Sequence, residues 1–162
     1  MTNKDLEMMV NAPVVTEVQE GILNYDLDLI GQVTETVNSV CSIKPQNEDE
    51  EVDLYNAIND VTCPIKEMVN NPIEMIGVYL EEVVITSEET GMKSKELRVV
   101  IIDKDNNSYS AMSKGVMMSL QKIFALKGSP FVTPWEKPVV IVPKIKTVGK
   151  NNVTTLALAK SK

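Results

Sequence analysis

The stretch RVVIIDKDNNSYSAMSKGVMMSLQKIF, residues 98–124, contains the pattern that decides the fold. ELRVVII, residues 96–102, is rich in β-branched residues and predicts a strand. DKDNN at 103–107 has turn composition, and SYSAM at 108–112 predicts a short strand. Residues 114–126 then place apolar side chains at the i, i+3, i+4, i+7 spacing of an amphipathic helix. The stretch therefore predicts two strands joined by a turn and followed by a helix.

Three more elements are predicted on the N-terminal side of this stretch. Residues 33–43 alternate and are β-branched, which is typical of a strand. An acidic loop then leads into residues 50–59, where near-helical spacing of apolar side chains predicts a short helix. Residues 73–86 predict a long strand, in which Gly77 marks a bulge where the strand bends.

Two more strands are predicted on the C-terminal side. Gly128 ends the helix, and residues 138–147 form a strand with Lys144 and Lys146 on one face. The opposite face of that strand is apolar. A GKNN turn then leads to a last strand, VTTLALA, at residues 153–159.

The order of these elements predicts the fold class. A helix between the third and fourth strands of a five-stranded sheet is the connectivity of the OB-fold, a small barrel whose helix plugs one end. The sequence therefore predicts a mainly β, OB-fold-like five-stranded barrel over residues 33–160. A short extra helix and an acidic N-terminal extension, residues 1–32, complete the expected organisation.

Composition excludes several classes of active site. The chain has 162 residues and no histidine, which excludes Ser-His-Asp and Cys-His activation of a nucleophile. Two cysteines, Cys41 and Cys63, cannot form a zinc site alone, and we interpret both as reduced and buried. No stretch approaches the ~20 apolar residues of a membrane helix, and the N-terminus lacks a secretory pattern. We expect a cytoplasmic protein with no catalytic activity, metal or cofactor.

The net charge of −7 conceals a strong asymmetry along the chain. Residues 1–92 carry 3 basic and 19 acidic side chains, whereas residues 93–162 carry 13 basic and 4 acidic ones. The C-terminal part can therefore face a phosphate backbone even in an acidic protein. The alternative is that the two parts neutralise each other.

The chain resembles a known family over roughly residues 37–159. The pieces that match are LYNAIN (54–59), RVVIIDKDNNSYSAMSKGVMMSLQKIF (98–124), PWEKPVVIVPKIKT (134–147) and GKNNVTTLAL (149–158), and SVCSIKP (39–45) looks like the family's first strand. They are similar to the single-stranded DNA-binding proteins of tailed phages and mobile elements of Gram-positive bacteria. A weaker similarity, to the shorter proteins of protein-primed phages, covers mainly SYSAMSK and the final hairpin. The resemblance implies tight coating of single-stranded DNA during replication or transfer, in the bacterial host cytoplasm if the gene is carried by a phage.

Binding of single strands without sequence preference needs a basic groove for phosphates and flat side chains for stacking. Trp135 could instead plug the barrel, Tyr109 could be buried, and the pair Lys144 and Lys146 could be an ordinary solvated face. The candidate DNA-binding residues are Arg98, Lys104, Tyr109, Lys114, Trp135, Lys137, Lys144, Lys146 and Lys150.

The sequence thus favours a non-catalytic protein that coats single-stranded DNA. Its expected partners are single-stranded DNA, replication or transfer proteins bound through the acidic N-terminal segment, and further copies of itself in a homo-oligomer. No membrane partner is expected. The alternative is a protein–protein interaction module, an acidic adaptor or assembly component without direct nucleic-acid binding.

Overall fold

The computed structural model of the protein describes residues 32–161, which contain seven strands and two α-helices. The predicted N-terminal extension, residues 1–32, therefore lies almost wholly outside the described residues. The helices are α1 (Glu48–Asn59) and α2 (Lys114–Lys127), and a 3-10 turn covers Ile65–Met68. The strands are β1 (Gln32–Cys41), β2 (Cys63–Pro64), β3 (Ile73–Ser87), β4 (Lys93–Asp103), β5 (Ser108–Ala111), β6 (Val139–Val148) and β7 (Asn151–Leu158).

The strands form one sheet in the order β2-β5-β4-β3-β6-β7, and β1 pairs with β3. The sheet curls into a half-barrel, and the predicted mainly β class is confirmed. The described sheet has seven strands rather than the five of the predicted barrel, because it also contains β1, which corresponds to the strand predicted at residues 33–43, and the two-residue β2, which was not predicted. Among the five strands from β3 to β7, α2 connects the third to the fourth.

The chain divides into two compact units. Among the described residues, the first contains residues 32–39 and 81–97, which are most of β1, the C-terminal part of β3 and the N-terminal part of β4. The amide of Ser87 donates to the carbonyl of Met92 at the turn between those two strands. Gly91 has a φ of +70° in this turn, a conformation that a side chain would strain. The second unit contains residues 40–80 and 98–162 and holds both helices.

Both helices begin at a side-chain cap. Asn47 accepts a hydrogen bond from the amide of Glu50 at the start of α1, and acids fill the first turn, where the helix dipole favours negative charge. Ser113 accepts from the amides of Gly115 and Val116 at the start of α2. Gly128, with φ of +91°, ends α2.

The sheet of the second unit is covered on both faces. One face packs on α2, and its buried residues include Met75, Ile101, Ile141 and the helix residue Leu120. The opposite face packs on α1 through a smaller cluster around Val100, Ile102 and Ala57. Alternate residues of β4 therefore belong to different cores, which explains why the run RVVII is apolar throughout.

Near Gly77 the alternation of β3 shifts by one residue, so the positions that face the α2-side core change there. Met75 and Val78 belong to the α2-side core, whereas Ile76 and Tyr79 pack in the α1-side core. That change of alternation is the mark of a bulge, as predicted for Gly77. A Cβ at Gly77 would overlap the side chains of Ile43 and Ser42, so glycine allows this close approach without a shift of either side chain.

Helix α2 covers the outer edge of β7. The hydroxyl of Ser119 accepts from the amide of Leu156 at 3.0 Å, and the hydroxyl of Ser113 donates to the carbonyl of Thr154 at 3.4 Å. A Cβ on Gly115 would overlap that same carbonyl. The helix therefore lies directly against β7 and occupies backbone groups that an edge strand would otherwise expose.

Candidate nucleic-acid interface

A groove of about 1120 Å³ lies where α2, the linker to β6 and the C-terminal end of β7 meet. Its apolar surface comes from Val132, Pro134, Val140 and Leu158, together with the ring of Trp135. The full lining consists of Lys127, Gly128, Ser129, Val132, Thr133, Pro134, Trp135, Glu136, Lys137, Pro138, Val139, Val140, Leu158, Ala159, Lys160 and Ser161.

Trp135 is half-buried and lines the groove while also touching the core. Its indole Nε1 donates to the carbonyl of Gly128 at 2.9 Å. The centroid of its ring lies 5.9 Å from that of Phe124, with a tilt of 56° between the planes. These two contacts hold the ring in one orientation. The position thus combines features of both sequence-based alternatives, a groove residue and a plug at the end of the core.

Three lysines line the same groove. Lys127 is the last residue of α2, Lys137 lies in the linker, and Lys160 follows β7; all three are exposed. Glu136 is the only acidic residue of the lining. Sequence reasoning found Lys137 but missed Lys127 and Lys160. No local pattern could have found Lys160, because only the pairing of β6 with β7 brings it to the groove beside Trp135.

At the other end of β6 and β7 the two strands continue as a two-stranded ribbon, residues 144–155, which we call the arm. β6 alternates between buried and half-buried residues as far as Pro143, after which every residue is exposed. Lys144 pairs with Thr155, and Lys146 pairs with Val153. The two lysines are two positions apart on β6, so their side chains lie on the same face of the arm, as predicted.

Two more cations lie near these lysines, one in the turn of the arm and one at the start of helix α2. Lys150 lies in the turn that joins β6 to β7, where Gly149 has a φ of +63°. Lys114 begins α2, and the neighbouring Gly115 lies against Val153 of the arm. The structure therefore brings the predicted residues Lys114, Lys144, Lys146 and Lys150 to one region.

Asn70 positions Lys144. Its side-chain oxygen accepts from the Lys144 Nζ at 3.1 Å, and its amide donates to the carbonyl of Pro143 at 2.8 Å. Asn70 has a φ of +68°, a conformation that asparagine tolerates better than most residues. The sequence offered no signal for this residue, since it lies 74 positions from its partner.

Three predicted residues lie on β4, β5 or the turn between them, and none of them lines the groove or belongs to the arm. Arg98 is a half-buried residue of β4. The Lys104 ammonium lies 3.6 Å from a carboxylate oxygen of Glu74 and 3.7 Å from one of Asp105. Tyr109 is only 6% exposed and donates its hydroxyl to Asp103 Oδ2 at 2.9 Å. Tyr109 is therefore buried, which was the alternative to a DNA contact, and its ring has no free face on which a base could stack.

The environment of Tyr109 keeps its phenol neutral. Burial raises the pKa of Tyr109 most, and the hydrogen bond to Asp103 raises it further. Asp103 Oδ1 accepts from the amides of Asp105 and Asn107, so this carboxylate organises the β4–β5 turn as well. The Asp103–Tyr109 pair is structural.

The described residues contain no group of side chains suited to hold a metal ion. Cys41 and Cys63 are free and half-buried, and burial raises the pKa of both thiols, which disfavours the reactive thiolate. Neither helix among residues 32–161 is long and apolar enough to cross a membrane.

A family of known proteins matches most of the chain. The family model described as phage single-stranded DNA-binding protein matches residues 32–159. This match covers the sheet, both helices, the arm and all of the groove lining except Lys160 and Ser161. It confirms the resemblance drawn from the sequence motifs. No curated protein and no solved structure matches the chain.

Proposed function

The chain belongs to the phage single-stranded DNA-binding protein family, and from this premise we propose that it binds single-stranded DNA without strong sequence preference through the groove and the arm. The observation that carries the proposal is the arrangement of an aromatic, lysine-lined groove and a lysine-bearing arm at opposite ends of β6 and β7. Stacking surfaces combined with cations are what sequence-tolerant binding of single strands requires.

The length of β6 suits a continuous path for a strand. Val140 lines the groove and Val148 ends the arm, eight residues apart. At about 3.3 Å per residue this span is roughly 26 Å. Val140, Lys144 and Lys146 point to the same side of β6, because they occupy alternate positions. A strand lying along this side would pass from Trp135 to the lysines of the arm.

The charge distribution supports the same path. Lys127, Lys137 and Lys160 surround the groove, and Lys144, Lys146 and Lys150 lie on the arm, each with an exposed side chain. Each phosphate neutralised on a single strand contributes about 0.7 to the slope of log affinity against log salt. Contacts to all six lysines would produce a slope of about −4. We leave Tyr109 out of the proposed interface because its ring is buried.

We further propose a non-catalytic role in coating and protecting single strands during phage or mobile-element replication or transfer, in the bacterial cytoplasm. Strands β3 to β7 with α2 between the third and fourth suggest an open version of the OB-fold. We also propose that residues 33–160 form the DNA-binding domain and that residues 1–32 are a separate acidic extension.

The test is a titration of Trp135 fluorescence with an unstructured oligonucleotide and with its duplex. We expect tight, salt-dependent binding of the single strand, much weaker binding of the duplex, and a change in emission because Trp135 is the only tryptophan. Equal affinity for duplex, or no binding of either at low salt, would contradict the proposal. The second of these outcomes would favour a protein-interaction module.

A further inference from the structure

Helix α1 exposes an unusual combination of side chains on its outer face, which we define as Glu48, Glu51, Val52 and Tyr55. Val52 is 50% exposed and Tyr55 is 62% exposed. At 3.6 residues per turn, these four residues lie on the side opposite Ala57, the buried residue of the helix. Two apolar side chains one turn apart therefore face solvent together.

The helix carries five acids and no basic residue. Some of these acids have structural roles, since Glu50 accepts from the amide of Gln46 and Asp53 accepts from Asn106. The acids of the first turn also stabilise the helix dipole. Neither role explains Val52 and Tyr55, whose exposed surface is covered by no other part of residues 32–161.

We propose that the outer face of α1 is a docking site for a basic segment of a partner protein that carries an apolar anchor. Charge complementarity selects this occupant: the acids attract lysine or arginine side chains, while Val52 and Tyr55 form the apolar contact. Tyrosine is among the residues that contribute most to binding at protein interfaces. The acids repel the phosphates of DNA and of anionic lipids, which disfavours both as occupants.

A second copy of this chain is a weaker occupant for a reason that rests on the proposed function. The arm would supply the matching cations, but Lys144, Lys146 and Lys150 are assigned there to phosphates. Helix α1 packs on β3 and β4, so it leaves the groove and arm open. A coated strand would thus present α1 to incoming proteins while the lysines hold DNA.

The probe is a fluorescein-labelled synthetic amphipathic peptide in which lysines alternate with leucines at helical spacing. Its control is a peptide of equal charge in which the leucines are replaced by glycine and serine. We expect the leucine-containing peptide to bind about tenfold more tightly by fluorescence anisotropy. Amide chemical-shift changes should concentrate in residues 48–59.

The double variant Val52→Ser/Tyr55→Ser should reduce the affinity for the leucine peptide about tenfold and leave affinity for single-stranded DNA unchanged. The matched control is Leu126→Ser, since Leu126 is 77% exposed on α2 and lies outside this face. Equal binding of the two peptides, or no effect of the double variant, would overturn the proposal. Concentration-dependent self-association that the double variant abolishes would overturn it in favour of a second copy.

The peptide experiment needs no DNA, so its outcome is separable from that of the proposed function. If the peptide binds α1 while oligonucleotides do not bind the protein, the docking site stands and the DNA interface fails. Binding of the peptide to the preformed DNA complex that Val52→Ser/Tyr55→Ser weakens and Leu126→Ser does not would support both, because direct binding of the peptide lysines to DNA is the same for all variants.

Discussion

Two regions of the second unit carry the same kinds of side chain but use them differently. On β6, β7 and the linker before them, Trp135 lines a groove and Lys144 and Lys146 project from an exposed ribbon. On β5 and the β4–β5 turn, Tyr109 is buried against Asp103, and Lys104 is paired with Glu74 and Asp105. The aromatic and the cations are thus at least partly accessible to solvent in one region, whereas in the other the aromatic is buried and the cation is paired with carboxylates. Residue type alone does not distinguish the two uses.

The largest effect is expected from a substitution that disturbs the packing of helix α2 against β7 in the first region. In Gly115→Ala the new Cβ would overlap the backbone of Thr154, which cannot move without shifting β7. We expect the free energy of unfolding to fall by about 3 kcal/mol, as for an overpacked core, and DNA binding to weaken because the arm moves. Urea denaturation measures the first effect. Met118→Ala, an exposed position on the same helix, should change stability by less than about 0.5 kcal/mol.

Removing the groove aromatic should weaken binding more than it weakens the fold. Trp135→Ala removes a stacking surface worth about 1–3 kcal/mol per base, which corresponds to an affinity loss of roughly 10- to 100-fold. Trp135→Phe keeps a ring but loses the hydrogen bond to Gly128, so we expect a smaller loss of affinity. Filter binding measures both variants. Unchanged affinity per folded molecule, with several kcal/mol of stability lost, would make Trp135 a core residue only.

The arm lysines should account for part of the salt dependence of binding to single-stranded DNA. Lys144→Ala/Lys146→Ala removes two phosphate contacts and should reduce the magnitude of the slope of log affinity against log salt by about 1.4. Lys93→Ala/Lys95→Ala is the matched control, because these exposed lysines have the same spacing on β4 and the same charge. An equal reduction in both double variants would mean that only net charge matters.

Tyr109→Phe should affect stability and leave DNA affinity unchanged, the reverse of the expectation for Trp135. The loss of one buried hydrogen bond to Asp103 should cost about 1 kcal/mol at neutral pH. If Tyr109→Phe bound DNA more weakly at an equal folded fraction, Tyr109 would be a residue of the DNA interface after all.

The same variant has a signature at alkaline pH. Because the pKa of Tyr109 is raised in the fold, its contribution to stability is complete below the ordinary tyrosine pKa of about 10. The contribution is lost as pH rises from there through the folded-state pKa, since the unfolded chain releases the proton first. Denaturation midpoints above pH 10 should therefore fall more steeply in the wild type than in Tyr109→Phe. Parallel pH profiles would contradict this assignment.

The smallest effect is expected at Lys104. Its ammonium already has two carboxylates within 4 Å, at an exposed position where ion pairs contribute about 0–1 kcal/mol. Lys104→Ala should leave the salt slope of DNA binding unchanged. A reduction as large as about 0.7, one phosphate contact, would show that DNA reaches the β4–β5 turn.

Local pattern was sufficient to predict most elements. The helix predicted at 114–126 is observed as Lys114–Lys127, and the strand predicted at 73–86 is Ile73–Ser87, because their apolar periodicities are strong. The strand β2 was missed, since two residues show no period and Cys63 finds its partner, Tyr109, far along the chain. The predicted mainly β class is confirmed. The sheet also holds β1, the strand predicted at residues 33–43, so of the strands outside the five-stranded barrel only β2 was not anticipated.

For the candidate site, the sequence by itself determined that Lys144 and Lys146 share a face, because side chains alternate along any strand. It also determined the basic character of the C-terminal part and the motifs by which the family is recognised. Only the tertiary structure decided that Lys127 and Lys160 join Trp135, that Asn70 holds Lys144, and that Tyr109 is buried. The physical reason is that periodicity specifies which way a side chain points, whereas its partner is chosen by strand pairing and helix packing between segments distant in sequence.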